Sequence, residues 1–121
     1  MNRQRIILEM GTGNDLYGED YTKAANRAVQ DALHHSSIGI FRSLGLDHAD
    51  MEVTVTLGVQ EPEKVDKDAV AATLPHGKVT VKTVKGGLNI EDSQQSRKTV
   101  IATAGVEAWL DIPDKWQQER S

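Results

Sequence analysis

Apolar and polar residues alternate most regularly between residues 51 and 59. The apolar positions of that stretch, which share one face of an extended chain, are Met51, Val53, Val55, Leu57 and Val59. Alternation with a period of two is typical of a half-buried β-strand. The pattern recurs over residues 98–112 and more weakly over 78–84, and a short apolar run at 6–10 precedes them. Four strands are therefore predicted, and the length of the stretch 98–112 places it in the centre of the sheet.

Two intervals between the strands show helical spacing instead. From Asp20 to about Ser36 apolar residues recur every three or four positions, which predicts an amphipathic helix. A short helix is predicted from Asp66, as its N-cap, to Leu74, with Pro75 ending it. Residues 36–46 are interpreted as a turn or a second short helical segment. The polar stretch 86–97 is interpreted as a hairpin loop.

These elements follow the order β-α-β-α-β-β in one domain, residues 1–121, with a polar tail at 113–121. We expect an α+β fold: a mixed four-stranded sheet with both helices on one face, since right-handed crossovers place them on the same side. The uncovered face would be too apolar to be fully solvated. It would carry Ile7, Glu9, Thr54, Thr56, Thr80, Val84, Ile101, Thr103 and Trp109. A homo-oligomer is therefore predicted, the alternative being a monomer with one wet sheet face.

The composition narrows the class of partner. The chain has 121 residues, no cysteine, and 14 basic against 18 acidic residues, for a net charge of −4. Disulfides and thiolate metal sites are excluded. The acidic balance, without a basic run longer than two residues, argues against binding to nucleic acid or anionic lipid. No apolar run is long enough for a signal peptide or a membrane span, so a cytoplasmic protein is expected.

Candidate chemistry concentrates in the glycine-framed acidic stretch between the first strand and the first helix. Gly11, Gly13 and Gly18 allow close backbone approach, and they are predicted to bind substrate there. Asp15 is either a catalytic base or anchor, with Tyr17 as its hydrogen-bond partner, or a structural residue that ties the loop or caps the helix. Nucleotide-binding fingerprints fail, because the third glycine of the dinucleotide motif and the lysine of the phosphate loop are missing.

Three residues outside this stretch complete the predicted site. His35 is a second candidate proton partner, Arg42 is expected to clamp an anionic group, and Glu9 lies on the strand that leads to the loop. A surface ion pair is the alternative for Arg42. The candidate ligands for a divalent metal are Asp15 and His34 or His35, with Glu9 nearby, but adjacent histidines diverge on a helix, so at most one faces the site, and no cofactor is predicted.

The segment from Glu9 to Gly18, followed by Thr-Lys-Ala-Ala, resembles the Gly-x-Gly-x-Asp-x-His-Gly signature of the Lin family of conserved hypothetical proteins. Tyr17 stands where that signature has histidine, so a ligand or base role of the histidine does not transfer. The resemblance extends through His34–Ser37, Arg42 and Gly86–Leu88. The order of elements also resembles the chorismate-mutase-like and YjgF-like group, which implies a trimer with sites between subunits.

Together these features predict an oligomeric protein, preferably a trimer, with a small-molecule site at the subunit interface. Acid–base chemistry on a small polar or anionic metabolite is one hypothesis, with Asp15, Tyr17 and His35 as its residues. The alternatives are a non-catalytic metabolite-binding or regulatory module and one subunit of a hetero-oligomeric enzyme. Whether the chain is an enzyme is left open, because no nucleophile arrangement can be read from the sequence.

Overall fold

The computed structural model describes residues 2–16, 18–34, 51–74, 78–92, 94 and 97–112. The predicted turn at 36–46 and the tail at 113–121 lie outside these ranges. Within them the chain forms β1 (Asn2–Asp15), α1 (Tyr21–His34), β2 (Glu52–Val59), a 3-10 helix (Pro62–Lys64), α2 (Lys67–Ala71), β3 (Lys78–Lys85), β4 (Leu88–Asp92) and β5 (Arg97–Ile112).

The long strand β5 forms the centre of a mixed sheet, as its length predicted. β1 pairs antiparallel with one side of β5, from Asn2 opposite Ile112 to Asp15 opposite Val100. The other side is shared, because β2 pairs with residues 103–109 of β5 and β4 with residues 97–101. β3 lies parallel to β2, outside it. The α+β class and the mixed sheet are confirmed, whereas the predicted number of four strands is wrong for the described residues, which form five.

The fifth strand, β4, lies in the stretch that was predicted to be a hairpin loop. The chain leaves β3 and steps across the end of β2, where the Gly86 amide donates a hydrogen bond to the Val59 carbonyl at 2.9 Å. Gly87 has φ +60, and a Cβ there would lie 2.2 Å from the Ile101 carbonyl oxygen. The crossing therefore requires glycine. Beyond it, β4 takes the place of β2 beside β5, which local alternation of residues does not reveal.

Both helices cover the same face of the sheet, as predicted. The stripe Ala24, Ala28 and Ala32 on α1 is fully buried, and Val70 of α2 joins the same core. The Asp66 carboxylate accepts a hydrogen bond from the Ala69 N–H at 3.1 Å, so the predicted cap of α2 is confirmed. The strand residues that meet the helices are Val53, Val55, Leu57, Val59, Val100, Ala102, Ala104, Val106, Ala108 and Leu110.

The opposite side of the sheet, here called the open face, contains five of the six large apolar side chains that are exposed in the described residues. Met10 is 72% exposed. The five are Leu8, Met10, Val84, Leu88 and Ile90. The register differs from the prediction at two positions of β1: Ile7 pairs with buried Ala108 and Glu9 with buried Val106, so both positions belong to the helix-covered face. A strand shows alternate residues to opposite faces, so Leu8 and Met10 take their place on the open face.

Candidate functional site

Gly11 and Gly13 lie inside β1, which corrects the strand end predicted at residue 10. A Cβ added to Gly11 would lie 2.4 Å from the Ala28 carbonyl oxygen, and one added to Gly13 would lie 2.3 Å from the Ala28 amide nitrogen. No side chain fits at these distances, so the backbone of α1 rests directly on the backbone of β1. On this face the two glycines serve helix–sheet packing, and the helix occupies the space that a ligand would need.

Asp15 ends β1 and is only 4% exposed. Its Oδ2 atom accepts a hydrogen bond from the Asp20 backbone N–H at 2.9 Å. Its Oδ1 atom faces two cations, with Lys23 Nζ at 3.9 Å and an Arg27 guanidinium nitrogen at 3.8 Å. Gly18 leaves room for the carboxylate, since a Cβ there would lie 2.7 Å from Oδ2. A buried carboxylate needs such partners, and here they tie the end of β1 to the start of α1.

The turn between β1 and α1 is held by two further acidic side chains. Asp20 precedes the helix, and its Oδ1 atom accepts the Lys23 backbone N–H at 3.0 Å, the geometry of an N-cap. Glu19 adopts φ 52, which is unusual for a residue other than glycine. Its Oε1 atom accepts the Lys98 backbone N–H at 2.9 Å, which links the turn to β5. The three carboxylates of this acidic stretch thus accept hydrogen bonds from backbone N–H groups.

The remaining predicted site residues are not gathered around Asp15 in the described residues. Tyr17, His35 and Arg42 lie outside them. Glu9 lies six residues back along β1, roughly 20 Å away at the usual rise of a strand. Of the predicted set, the structure brings together Asp15 and Gly18.

A polar cluster that the sequence analysis missed lies where α1, the segment after β2 and β4 meet. The Tyr21 hydroxyl donates a hydrogen bond to Glu61 Oε2 at 2.6 Å and accepts one from Asn89 Nδ2 at 2.7 Å. Lys64 Nζ lies 3.1 Å from the other Glu61 oxygen. The pattern placed Tyr21 in the buried stripe of α1, and a buried tyrosine hydroxyl requires a polar partner. This requirement predicts a polar partner for Tyr21. It does not identify the partners, because Glu61 and Asn89 lie 40 and 68 residues further along the chain.

The cluster keeps its proton on the phenol. Burial raises the pKa of Tyr21, and the hydrogen bond to Glu61 raises it further, while the one from Asn89 opposes the shift. The hydrogen bond from Tyr21 lowers the pKa of Glu61, and Lys64 lowers it further. At neutral pH a neutral phenol therefore donates to a carboxylate. With the Tyr21 side chain 4% exposed and both of its hydrogen-bonding partners in place, the cluster ties three elements together.

The open face contains a hollow of about 610 Å³. Gly105 forms its floor, and a Cβ added there would meet nothing within 4 Å in the described part of the chain. Thr56 and Met10 flank Gly105 on the neighbouring strands, and Thr103 lies two residues along β5. The full lining is Met10, Gly11, Thr12, Asp31, Thr56, Gly58, Val84, Gly86, Thr103, Ala104 and Gly105. A volume of this size suits a small metabolite or a side chain of another protein.

Neither a metal cluster nor a membrane span emerges from the described residues. In these ranges no three His, Asp or Glu side chains are grouped so that they could hold a metal ion. None of the helices described is long and apolar enough to cross a membrane.

Comparison with protein families matches residues 5–108 to a family model described as "Conserved hypothetical protein (Lin0512_fam)". The chain belongs to this family. The match covers most of β1 through most of β5, which includes the arrangement around Asp15 and most of the open face. It confirms the family that the glycine signature indicated.

A solved structure resembles the chain of this Lin0512 family member over nearly its full length. It is an FtsZ-like protein of unknown function from Nostoc punctiforme PCC 73102, with 33% sequence identity and a TM-score of 0.79. The match covers 93% of this chain and 99% of the other. A search of curated proteins finds no match. The comparisons thus support the family and the fold.

Proposed function

We propose that this Lin0512 family member is a homo-oligomeric, non-catalytic small-molecule-binding module whose subunits meet through the open face. The observation on which this rests is that five of the six exposed large apolar side chains of the described residues lie on the open face, which none of the described helices covers, and that Met10 and Val84 among them line the hollow at Gly105. Contiguous apolar patches of more than a few hundred Å² mark interaction sites on soluble proteins.

The open face has enough area for a stable interface. Strand lengths and the usual spacing of strands give it roughly 800 Å² in projection, which is close to what each partner of a standard protein–protein interface buries. Exposed Met10 and Val84 lie on either side of the hollow, and Leu88 and Ile90 continue the patch along β4. Burying these side chains against another subunit would remove them from water.

The charges of the open face favour a second copy of the chain over a strongly charged partner. Five of them lie near the start of β1 and the end of β5 and pair within the chain, and the others on this face are Lys78 and Lys82 on β3 and the opposed Asp92 and Arg97. Guanidinium nitrogens of Arg3 lie 2.6 Å from a carboxylate oxygen of Glu52 and 3.4 Å from one of Asp111. A guanidinium nitrogen of Arg5 lies 3.5 Å from a carboxylate oxygen of Glu107. Because cations and carboxylates are mixed on this face, they present no single-sign field to recruit a charged partner.

We propose a trimer as the oligomeric state, on the likeness in element order to the chorismate-mutase-like group. Closed cyclic symmetry would bury the same face on every subunit and would enclose the hollow between subunits. A ligand bound there would contact more than one chain, which supports a binding or regulatory role.

Acid–base catalysis at Asp15 is the second candidate. Its support is a buried carboxylate between two cations, an arrangement also found in active sites. The non-catalytic function is preferred, because Asp15 already binds the Asp20 backbone N–H and the two glycines before it are covered by α1.

Sedimentation velocity of the full chain tests the assembly. The wild type is expected near 40 kDa, three times the subunit mass of 13.3 kDa. Met10→Lys places a charge in the centre of the proposed interface and is expected to give monomers. Gln30→Lys is the matched control, because it adds the same charge to an exposed position of α1, away from the open face. A monomeric wild type, or a Met10→Lys variant that stays fully assembled, would contradict the proposal.

A further inference from the structure

We infer that the hollow at Gly105 binds a neutral, planar, ring-containing small molecule. This inference names the class of ligand for the binding function proposed above and rests on it. It departs from the anionic metabolite that Arg42 suggested, because the site now considered lies on the open face and its described lining differs in charge and shape from a carboxylate clamp.

The floor of the hollow is flat because glycine replaces a side chain in the middle of the sheet. Gly105 pairs with Met10 on one side and with Thr56 on the other. The row of side chains that crosses β1, β5 and β2 at this level therefore lacks a side chain at its centre. In the next row Gly58 also lacks a side chain, and a Cβ there would lie 2.7 Å from the Thr103 hydroxyl. The Thr103 hydroxyl therefore leans over Gly58, and the space above Gly105 is left open.

A flat floor of backbone favours a flat ligand. Exposed backbone at glycine offers apolar Cα–H groups in a plane, over which a ring can lie with full contact. Met10 is 72% exposed beside this floor, and a thioether makes favourable contacts with aromatic rings. The open volume of about 610 Å³ accommodates one or two fused rings.

The polar groups of the lining point to a neutral ligand. Thr12, Thr56 and Thr103 supply hydroxyls, each able to donate and to accept a hydrogen bond. Among the lining residues Asp31 is charged and negative, and none of the lysines and arginines in the described part of the chain lines the hollow. The Cα atom of Lys82 lies two strands away from the Cα atom of Gly105, roughly 10 Å across the sheet. An anion would therefore lose its hydration without a lining cation to replace it, whereas a neutral ring with N–H or O–H groups would not.

Ligand-observed NMR with two probe molecules tests the inference. Indole is a neutral fused ring with one N–H donor, and benzoate is an anionic ring of similar size. Indole is expected to bind the wild-type protein at least tenfold more tightly than benzoate does. Tighter binding of benzoate, or no binding of indole up to its solubility, would overturn the inference.

Gly105→Val places a branched side chain on the floor of the hollow and should fold, because its Cβ meets no described atom within 4 Å and valine suits a strand. We expect it to weaken indole binding at least tenfold while the thermal midpoint stays unchanged or rises. Thr80→Val is the matched control, an exposed position of β3 on the same face but outside the lining. Equal indole binding by wild type and Gly105→Val would overturn the inference.

The two proposals fail separately. An oligomeric wild type that does not bind indole contradicts the ligand class and leaves the assembly standing. A monomer that binds indole at Gly105 contradicts the assembly and leaves the ligand site standing, since the lining described here comes from one chain.

Discussion

At the scale of single residues, glycines at two positions of the sheet have opposite surroundings. Gly13 lies beneath α1, where a Cβ would be 2.5 Å from the Ala24 carbonyl oxygen. Gly105 lies on the open face, where a Cβ meets no described atom within 4 Å. Replacing either glycine by alanine adds the same methyl group. The difference in the free energy of unfolding between the two variants therefore reports the packing around each site.

Gly13→Ala is expected to lower the free energy of unfolding by about 3 kcal/mol or more, because helix and strand must separate to admit the methyl group. Gly105→Ala is expected to leave the free energy unchanged or raise it by up to about 1 kcal/mol, because alanine restricts the unfolded chain. Urea unfolding of both variants measures the difference. Similar stabilities for the two would contradict direct helix–strand packing.

Asp15→Asn keeps the shape of the side chain and removes its charge. We expect a loss of about 2 kcal/mol, since the buried acceptor of the Asp20 N–H becomes neutral and Lys23 and Arg27 lose their counter-ion. Asp111→Asn is the control, because its pair with Arg3 is exposed and should contribute below about 1 kcal/mol. Chemical denaturation compares them, and an Asp15→Asn protein as stable as wild type would rule out the structural role of this carboxylate.

At the scale of elements, the Tyr21 cluster joins α1 to the segment after β2 and to β4. The Glu61 carboxylate accepts the phenolic hydrogen bond at 2.6 Å and pairs with Lys64. Its pKa is lowered in the folded protein below the ordinary value of 4.5. The unfolded chain therefore binds a proton at higher pH than the folded chain does, and the stabilisation is present above pH 4.5.

This stabilisation should be lost as the pH falls from 4.5 through the lowered pKa of Glu61. Glu61→Gln is expected to be less stable than wild type at neutral pH and to show a shallower loss of stability on acidification. Glu63→Gln is the control, an exposed glutamate two residues along. Urea unfolding at a series of pH values from 3 to 7 measures both, and parallel curves for wild type and Glu61→Gln would contradict the assignment.

Much of the element pattern could be predicted from the sequence. β2, β3, β5 and both helices appear at positions where the spacing of apolar residues placed them, to within a few residues. β1 extends five residues beyond its prediction because Gly11 and Gly13 interrupt the apolar pattern without interrupting the strand. β4 was missed because the strand that the chain pairs with changes from β2 to β5 at Gly86–Gly87, a long-range event with no local periodicity.

At the scale of the whole molecule, the proposed assembly makes stability depend on protein concentration. If the open face is buried between subunits, unfolding is coupled to dissociation, and mass action raises the thermal midpoint at higher concentration. The wild type is expected to show this rise over a hundredfold range of concentration in scanning calorimetry. Met10→Lys, which disrupts the proposed interface, is expected to show a midpoint independent of concentration. A constant midpoint in the wild type, at concentrations that span its dissociation, would contradict the coupling.

The sequence by itself determined the local features: the α+β class, the central strand, the cap at Asp66 and the family indicated by the glycine signature. These depend on periodicity, capping and motif spacing, which are properties of neighbouring residues. Only the tertiary structure decided that Gly11 and Gly13 face a helix backbone, that Asp15 binds the start of α1, and that Tyr21 meets Glu61 and Asn89. It also placed the hollow over Gly105. Each of these depends on which strand or helix lies opposite a residue, and that choice is made by long-range packing.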